Sequence, residues 1–154
     1  MLLADDVVVV HHEPRPDGSR QMPEVGIVIP SHASALGKAL LAFLPDDADR
    51  LLDTVALRSM TGETVTDPVA LRKQLDEVRG SGVAFECDEA VLGESSAAAT
   101  VFDTTGLAVG GVAVVVPTNE WPLDDAVVDA VRSTARTMSR ELGANQWPAG
   151  TAGS

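Results

Sequence analysis

Three stretches of this sequence carry side chains that do chemistry at short range. The first is IPSHASALGKALLAFLP, residues 29–45, where a Ser-His pair precedes a Gly-Lys pair. A phosphate-cradling loop requires Gly, four residues, then Gly-Lys and Ser or Thr. His32 stands at the first glycine position and Ala39 follows Lys38, so two of the four fixed positions fail. Gly37 then reads as a point of close packing, and Lys38 as a side chain reaching water from the outer face of a helix. Ser31 and His32 are adjacent in an extended segment, so they face opposite ways and do not make a nucleophile and its base. No G-x-S-x-G elbow occurs anywhere. Ser31 or Ser34 is expected to cap the helix, and His32 to satisfy nearby backbone.

The second stretch is acidic: Glu86, Asp88, Glu89 and Glu94. A calcium loop needs several oxygens at fixed intervals around a sharp glycine turn, and DEAVLGE lacks that pattern. A solvated loop is expected, with Glu86 turned inward because it ends a strand. His11-His12 and Cys87 fit no metal-ligand spacing, so no metal and no cofactor is expected.

The third signal is size. If residues 96–102 and 107–116 are strands, one face of the first carries Ser96, Ala98, Thr100 and Phe102. One face of the second carries Leu107, Val109, Gly111, Ala113 and Val115. Several of these are small. Small residues on paired strands mean either a helix packed very close or a cavity beside the sheet.

The elements that must hold these groups follow from periodicity. VVVVHH (7–12), VGIVI (25–29) and VAFEC (83–87) read as strands, with turn chemistry in EPRPDGSR (13–20). Leu36, Ala39, Leu40 and Phe43 recur at helical spacing. Pro45, with Asp46 and Asp47 behind it, opens a second helix, and Asp67-Pro68 opens a third. A last helix follows Pro122, with Val127, Val131, Thr134 or Ala135, Met138 and Leu142 as its apolar stripe. Hairpins dominate the order β-β-α-α-α-β-β-β-α. An α+β domain over 1–143 is expected, with a mainly antiparallel sheet of five or six strands and a disordered tail over 144–154.

Composition narrows the classes further. A chain of 154 residues carries a formal net charge of −12, and its 11 basic residues form no patch. Such a surface is repelled by nucleic acid and by anionic membranes. One cysteine and no apolar run of membrane-spanning length fit a cytoplasmic setting. The opening MLLADD does not read as a signal peptide.

The segments also form a familiar series. SHASALGKALLAFLP is followed by T-x-x-T-V-T-D-P (61–68), L-x-x-x-L-x-x-V-R-x-x-G (71–82), D-E-x-x-x-G (88–93) and A-A-x-V-F-D-x-x-G (98–106). This order resembles the effector-binding domain of the IclR family of bacterial transcription regulators. The resemblance covers most of the chain, from the first strand to Gly143. It implies a GAF-like fold: a curved antiparallel sheet flanked by helices and holding a small-molecule effector. It also implies self-association as dimer or tetramer, and DNA contact only through a winged helix-turn-helix domain not expected within these residues. Carried over position by position, the ligand-binding residues are Ala35 and Leu36, through their backbone amides, with Glu86, Ser96, Ala113 and Val115. Members that sense small hydrophilic acids carry hydroxyl groups at the last two positions. Ala113 and Val115 therefore imply an organic acid with an apolar or aromatic body. From the residues alone two other classes stay open: a GAF-like sensor of another signalling protein, and a small enzyme, for which no nucleophile-base set is found.

Overall fold

The computed structural model describes residues 1–17 and 25–147. Two three-stranded antiparallel sheets and four α-helices make an α+β domain. The first sheet is N-terminal: β1 (Leu2–Leu3), β2 (Asp6–Val8) and β3 (Val28–Pro30), in that order. Three helices follow, α1 (Ala35–Leu41), α2 (Pro45–Thr54) and α3 (Pro68–Ser81). The second sheet is β4 (Ala84–Cys87), β5 (Glu94–Phe102) and β6 (Ala108–Pro117), and α4 (Asp125–Glu141) is the last helix among the described residues.

Local chemistry sets the helix starts. The Ser34 hydroxyl accepts the Gly37 amide at 3.0 Å, so Ser34 and not Ser31 caps α1. Pro45 opens α2 with Asp46 and Asp47 in its first turn. Asp67 caps α3, which ends at Gly82 in a left-handed conformation, φ 78°.

The central strand β5 is buried along nearly its whole length because both its faces are covered. Ala98 joins the core made by α1, α2 and α3, built on Leu41, Leu51, Leu71 and Leu75. Ala99 and Val101 face the other way, against Val131 and Ala135 of α4. Ala and Ser on β5 let a layer of helix approach each side.

Four expectations are corrected. The single sheet of five or six strands is two three-stranded sheets among the described residues, the N-terminal one built of strands only two or three residues long. The strand read over 7–12 is shorter and starts earlier, at Asp6–Val8, and Val7 is buried in it as the central strand of its sheet, between Leu2 and Ile29. The face Ser96, Ala98, Thr100 of β5 does meet Val115, Ala113 and Gly111 of β6, but a register shift at Val101/Phe102 pairs Phe102 with Ala108. Leu107 and Val109 turn to solvent as a result. On α4 the buried stripe is Val131, Ala135 and Ser139, while Met138 and Leu142 are exposed. Ser139 can lie inside because its hydroxyl donates to the Ala135 carbonyl at 2.7 Å and accepts the Phe102 amide at 3.0 Å.

The tail is anchored at its start. Trp147 donates its indole N–H to the Thr100 carbonyl at 2.9 Å, meets Phe102 edge to face and lies under the Arg136 guanidinium. Disorder is expected from residue 144, because a Gly- and Ala-rich tail offers little to bury, and Trp147 is the side chain of that stretch with these contacts. Residues 148–154 lie outside the described ones.

Candidate functional site

The pairing of β4, β5 and β6 builds one cross-strand row. Glu86 stands opposite Ser96, and Ser96 opposite Val115, with Ala98 and Ala113 paired in the next row. Period-2 alternation turns Ser96, Ala113 and Val115 to the same face. The start of α1 lies over that face. Thr100 ties the two together by donating to the Ala39 carbonyl at 2.7 Å. Gly111 helps: an added Cβ would lie 3.1 Å from both the Ala99 carbonyl oxygen and Leu36 Cδ2.

A cavity of about 170 Å³ opens between α1, the sheet and the N-terminal hairpin. All six residues singled out in the sequence line it: Ala35, Leu36, Glu86, Ser96, Ala113 and Val115. The rest of the wall was not foreseen. It includes Ile27, Ile29 and Pro30 from the hairpin, Met60 from the 59–66 loop, and Ala90 and Val91 from the loop after β4. Among the described residues no Lys, Arg or His lines it. Its polar groups are Ser34, Ser96, Glu86 and Glu94.

Glu86 is buried and hydrogen-bonded. Its Oε1 accepts the Ser96 hydroxyl at 3.1 Å, and its Oε2 accepts the Glu89 amide at 3.0 Å. Burial pushes its carboxyl up to about 7, against the opposing pull of those two hydrogen bonds. The charge on Glu89 adds to the rise and Lys38 opposes it.

Lys38 is the largest departure from expectation. It does not reach water: its side chain is 1% exposed, and its Nζ lies 2.6 Å from Glu89 Oε2. Glu89, expected in a solvated loop, is buried with it. Its other carboxylate oxygen accepts the Val65 amide at 3.3 Å, and its carbonyl accepts the Thr64 hydroxyl at 2.6 Å. A signal for this was present. In ALGKALL the lysine is the one polar side chain of a short apolar helix, so no polar face exists for it to occupy. His32 behaves as expected and bonds the Arg58 carbonyl at 2.8 Å.

An apolar cavity with a few convergent polar groups, held between a capped helix and an antiparallel sheet, has the build of a small-molecule site. The chain matches the family model described as bacterial transcriptional regulator IclR C-terminal over residues 1–140, and it belongs to that family. It is 40% identical over 145 residues to a glycerol operon regulatory protein from Streptomyces griseus, covering 92% of this chain and 57% of that protein. It is 37% identical over 123 residues to the regulator BhcR of Paracoccus denitrificans, covering 79% of this chain and 43% of that protein. The solved C-terminal domain of the E. coli regulator KdgR superposes with a TM-score of 0.76 at 27% identity, over 92% of this chain and 84% of that one. The inducer-binding domain of a PobR double mutant from Acinetobacter, solved with 3-hydroxybenzoic acid, superposes with a TM-score of 0.77 at 26% identity. That superposition covers 90% of this chain and 83% of that one. The chain spans about half the length of the curated relatives it matches. The family is one of bacterial transcriptional regulators, and the part matched is its C-terminal domain.

Proposed function

We propose that the domain senses a small organic acid with an apolar or aromatic body, bound in the cavity between α1 and the β4–β6 sheet. The observation that carries this is the wall itself: Leu36, Ala113, Val115, Ile27, Ile29 and Met60 are apolar, with Ser34, Ser96 and Glu86 gathered among them. A cavity of about 150 Å³ already holds a benzene ring. A hydroxyl-rich ligand buried against Val115 leaves polar groups unpaired, at about 1–3 kcal/mol each. The amides of Ala35 and Leu36 open α1, where N–H groups have no partner inside the helix. Glu86, with its carboxyl near 7, is not a fixed anion and does not bar a carboxylate.

Thermal melting with a panel of acids tests this. Benzoate, phenylacetate and branched-chain acids are expected to stabilise the domain, and glyoxylate is not. At about 100 times the Kd the shift is about 5–10 °C. A shift from glyoxylate-sized acids alone overturns the apolar reading.

The 40% identity to a glycerol operon regulatory protein favours a second reading, a glycerol-derived ligand. Ala113 and Val115 argue against it, since neither supplies a hydroxyl partner. Glycerol belongs in the same panel, and a shift from it alone would replace the acid.

The proposal extends to the whole regulator. Its DNA contact is made through a winged helix-turn-helix segment outside these residues, in the cytoplasm, and the sensor domain self-associates. A strictly monomeric scattering mass at high concentration counts against that last point.

A further inference from the structure

The cavity between α1 and the β4–β6 sheet is not closed. Three of its wall residues are more than a third exposed: Val28 at 54%, Met60 at 38% and Val91 at 44%. All three are apolar, and they come from three separate segments: β3, the 59–66 loop and the loop after β4. The other described wall residues are buried or half-buried. The cavity therefore reaches solvent through an apolar mouth.

That mouth is held open by its own loops. The Thr61 hydroxyl donates to the Asp88 carbonyl at 2.6 Å, and the Thr64 hydroxyl to the Glu89 carbonyl at 2.6 Å. These two bonds tie the loop of Met60 to the loop of Val91. The buried ion pair of Glu89 with Lys38 ties both to α1. Within the second loop the Asp88 carboxylate accepts the Gly93 amide and the Thr118 hydroxyl, each at 2.7 Å. Loops cross-tied in this way do not fold over the opening, so the apolar side chains at its rim stay in contact with water. Apolar surface kept wet beside a cavity marks a groove that a ligand covers.

Size points the same way. A cavity of about 150 Å³ holds a benzene ring, so the about 170 Å³ found here takes a body of about six carbons. A longer body has to leave through the mouth. Met60 suits a tail of variable length, because an unbranched thioether side chain fills irregular gaps. We infer that the effector is an elongated amphipathic acid, such as a medium-chain alkanoate, whose first carbons fill the cavity and whose apolar tail lies across Val28, Met60 and Val91. This rests on the acid-pocket reading above and adds the length of the acid. The three mouth residues then decide how long an acid the domain reads.

Calorimetric titration of the domain with butanoate, hexanoate, octanoate and decanoate tests this, with benzoate and phenylacetate alongside. Full burial of one methylene tightens binding about fourfold, and half-burial at an open mouth about twofold. Decanoate is therefore expected to bind about fifteenfold tighter than hexanoate. The double variant Met60→Gln with Val91→Thr nearly keeps side-chain size and adds no charge. Both positions are exposed, so its melting temperature is expected to match the wild type. Hexanoate is expected to bind it within about twofold of the wild type, while the gain from hexanoate to decanoate shrinks to about threefold. If none of these acids binds, the acid-pocket reading falls and takes this inference with it. If benzoate or hexanoate binds and decanoate binds no tighter than hexanoate, or if the double variant keeps the full gain with length, only the elongated acid falls. An equal loss for hexanoate and decanoate in the double variant puts Met60 and Val91 against the body of the acid and overturns the tail.

Discussion

Gly37 lies so close beneath Ser31 that a Cβ on it would sit 2.0 Å from the Ser31 carbonyl oxygen. Ser31 in turn donates both its amide and its hydroxyl to the Asp5 carbonyl, at 3.0 and 2.7 Å. The turn between β1 and β2 is thus bolted to the first turn of α1. That junction fixes the start of α1, whose Ala35 and Leu36 line the cavity together with hairpin residues Ile27 to Pro30.

Gly37→Ala is expected to destabilise the domain by about 3 kcal/mol, the upper range for overpacking, because the contact is backbone and cannot rotate away. Urea unfolding measures it. A loss below about 0.5 kcal/mol, the range of an indifferent surface change, means that Ser31 is not fixed where the structure has it.

The Gly-Lys motif shows what the sequence reveals and what it hides. Gly37 is legible as a close-packing position, because a glycine inside a helical pattern needs a reason to be there. Lys38 is read wrongly from its charge alone, since solvent is the default home of a lysine. Its partner Glu89 lies 51 residues along the chain, and only the fold brings the two together. The same holds for the site. Ser96, Ala113 and Val115 are legible as a face of small residues, because period 2 is local. Met60 and Ile27 to Pro30 line the same cavity from loop and hairpin, with no periodicity to mark them. The fold class follows from element order. The bulge at Val101/Phe102 does not, and with it Leu107 and Val109 change sides.

Val131→Asp is expected to destabilise by about 3 kcal/mol, since it buries an unpaired carboxylate against Ala99 and Val101. Met138, in the apolar stripe read from sequence, is 41% exposed, so Met138→Asp is expected to cost about 0.5 kcal/mol. Chemical denaturation of the pair measures the orientation of α4. Equal losses would mean that the helix is rotated from the position described.

Glu86 makes a sign-specific contribution to stability against pH. Its folded carboxyl lies near 7 and its unfolded value is 4.5. Between those values the folded state holds a proton that the unfolded state has released, so stability falls as pH rises. The whole window amounts to about 3 kcal/mol, present in full below pH 4.5 and lost by about pH 7. Glu86→Gln lacks the group, so the stability of the variant relative to the wild type is expected to rise by that amount from pH 4.5 to 7.5. Taking the difference cancels every other titrating group. A constant difference across that range means Glu86 ionises as it does in solvent.

Ala113 offers the most direct test of where the ligand sits. It is paired with Ala98, one row from Val115 and Ser96, and its methyl lines the cavity wall. Ala113 also packs against the helical core, so an indole there fills the cavity of about 170 Å³ at the low end of the cost of overpacking. Ala113→Trp is therefore expected to melt within about 4 °C of the wild type, since a cost of about 1 kcal/mol is worth that much in a domain of this size. The shift given by benzoate is expected to vanish. Ala113→Ser works in the opposite direction: it keeps the space but adds a hydroxyl, so glyoxylate-sized acids gain and benzoate loses. The two variants together separate occupancy from polarity. Benzoate stabilisation that survives Ala113→Trp places the ligand elsewhere, and an unchanged preference in Ala113→Ser removes β6 as the source of selectivity.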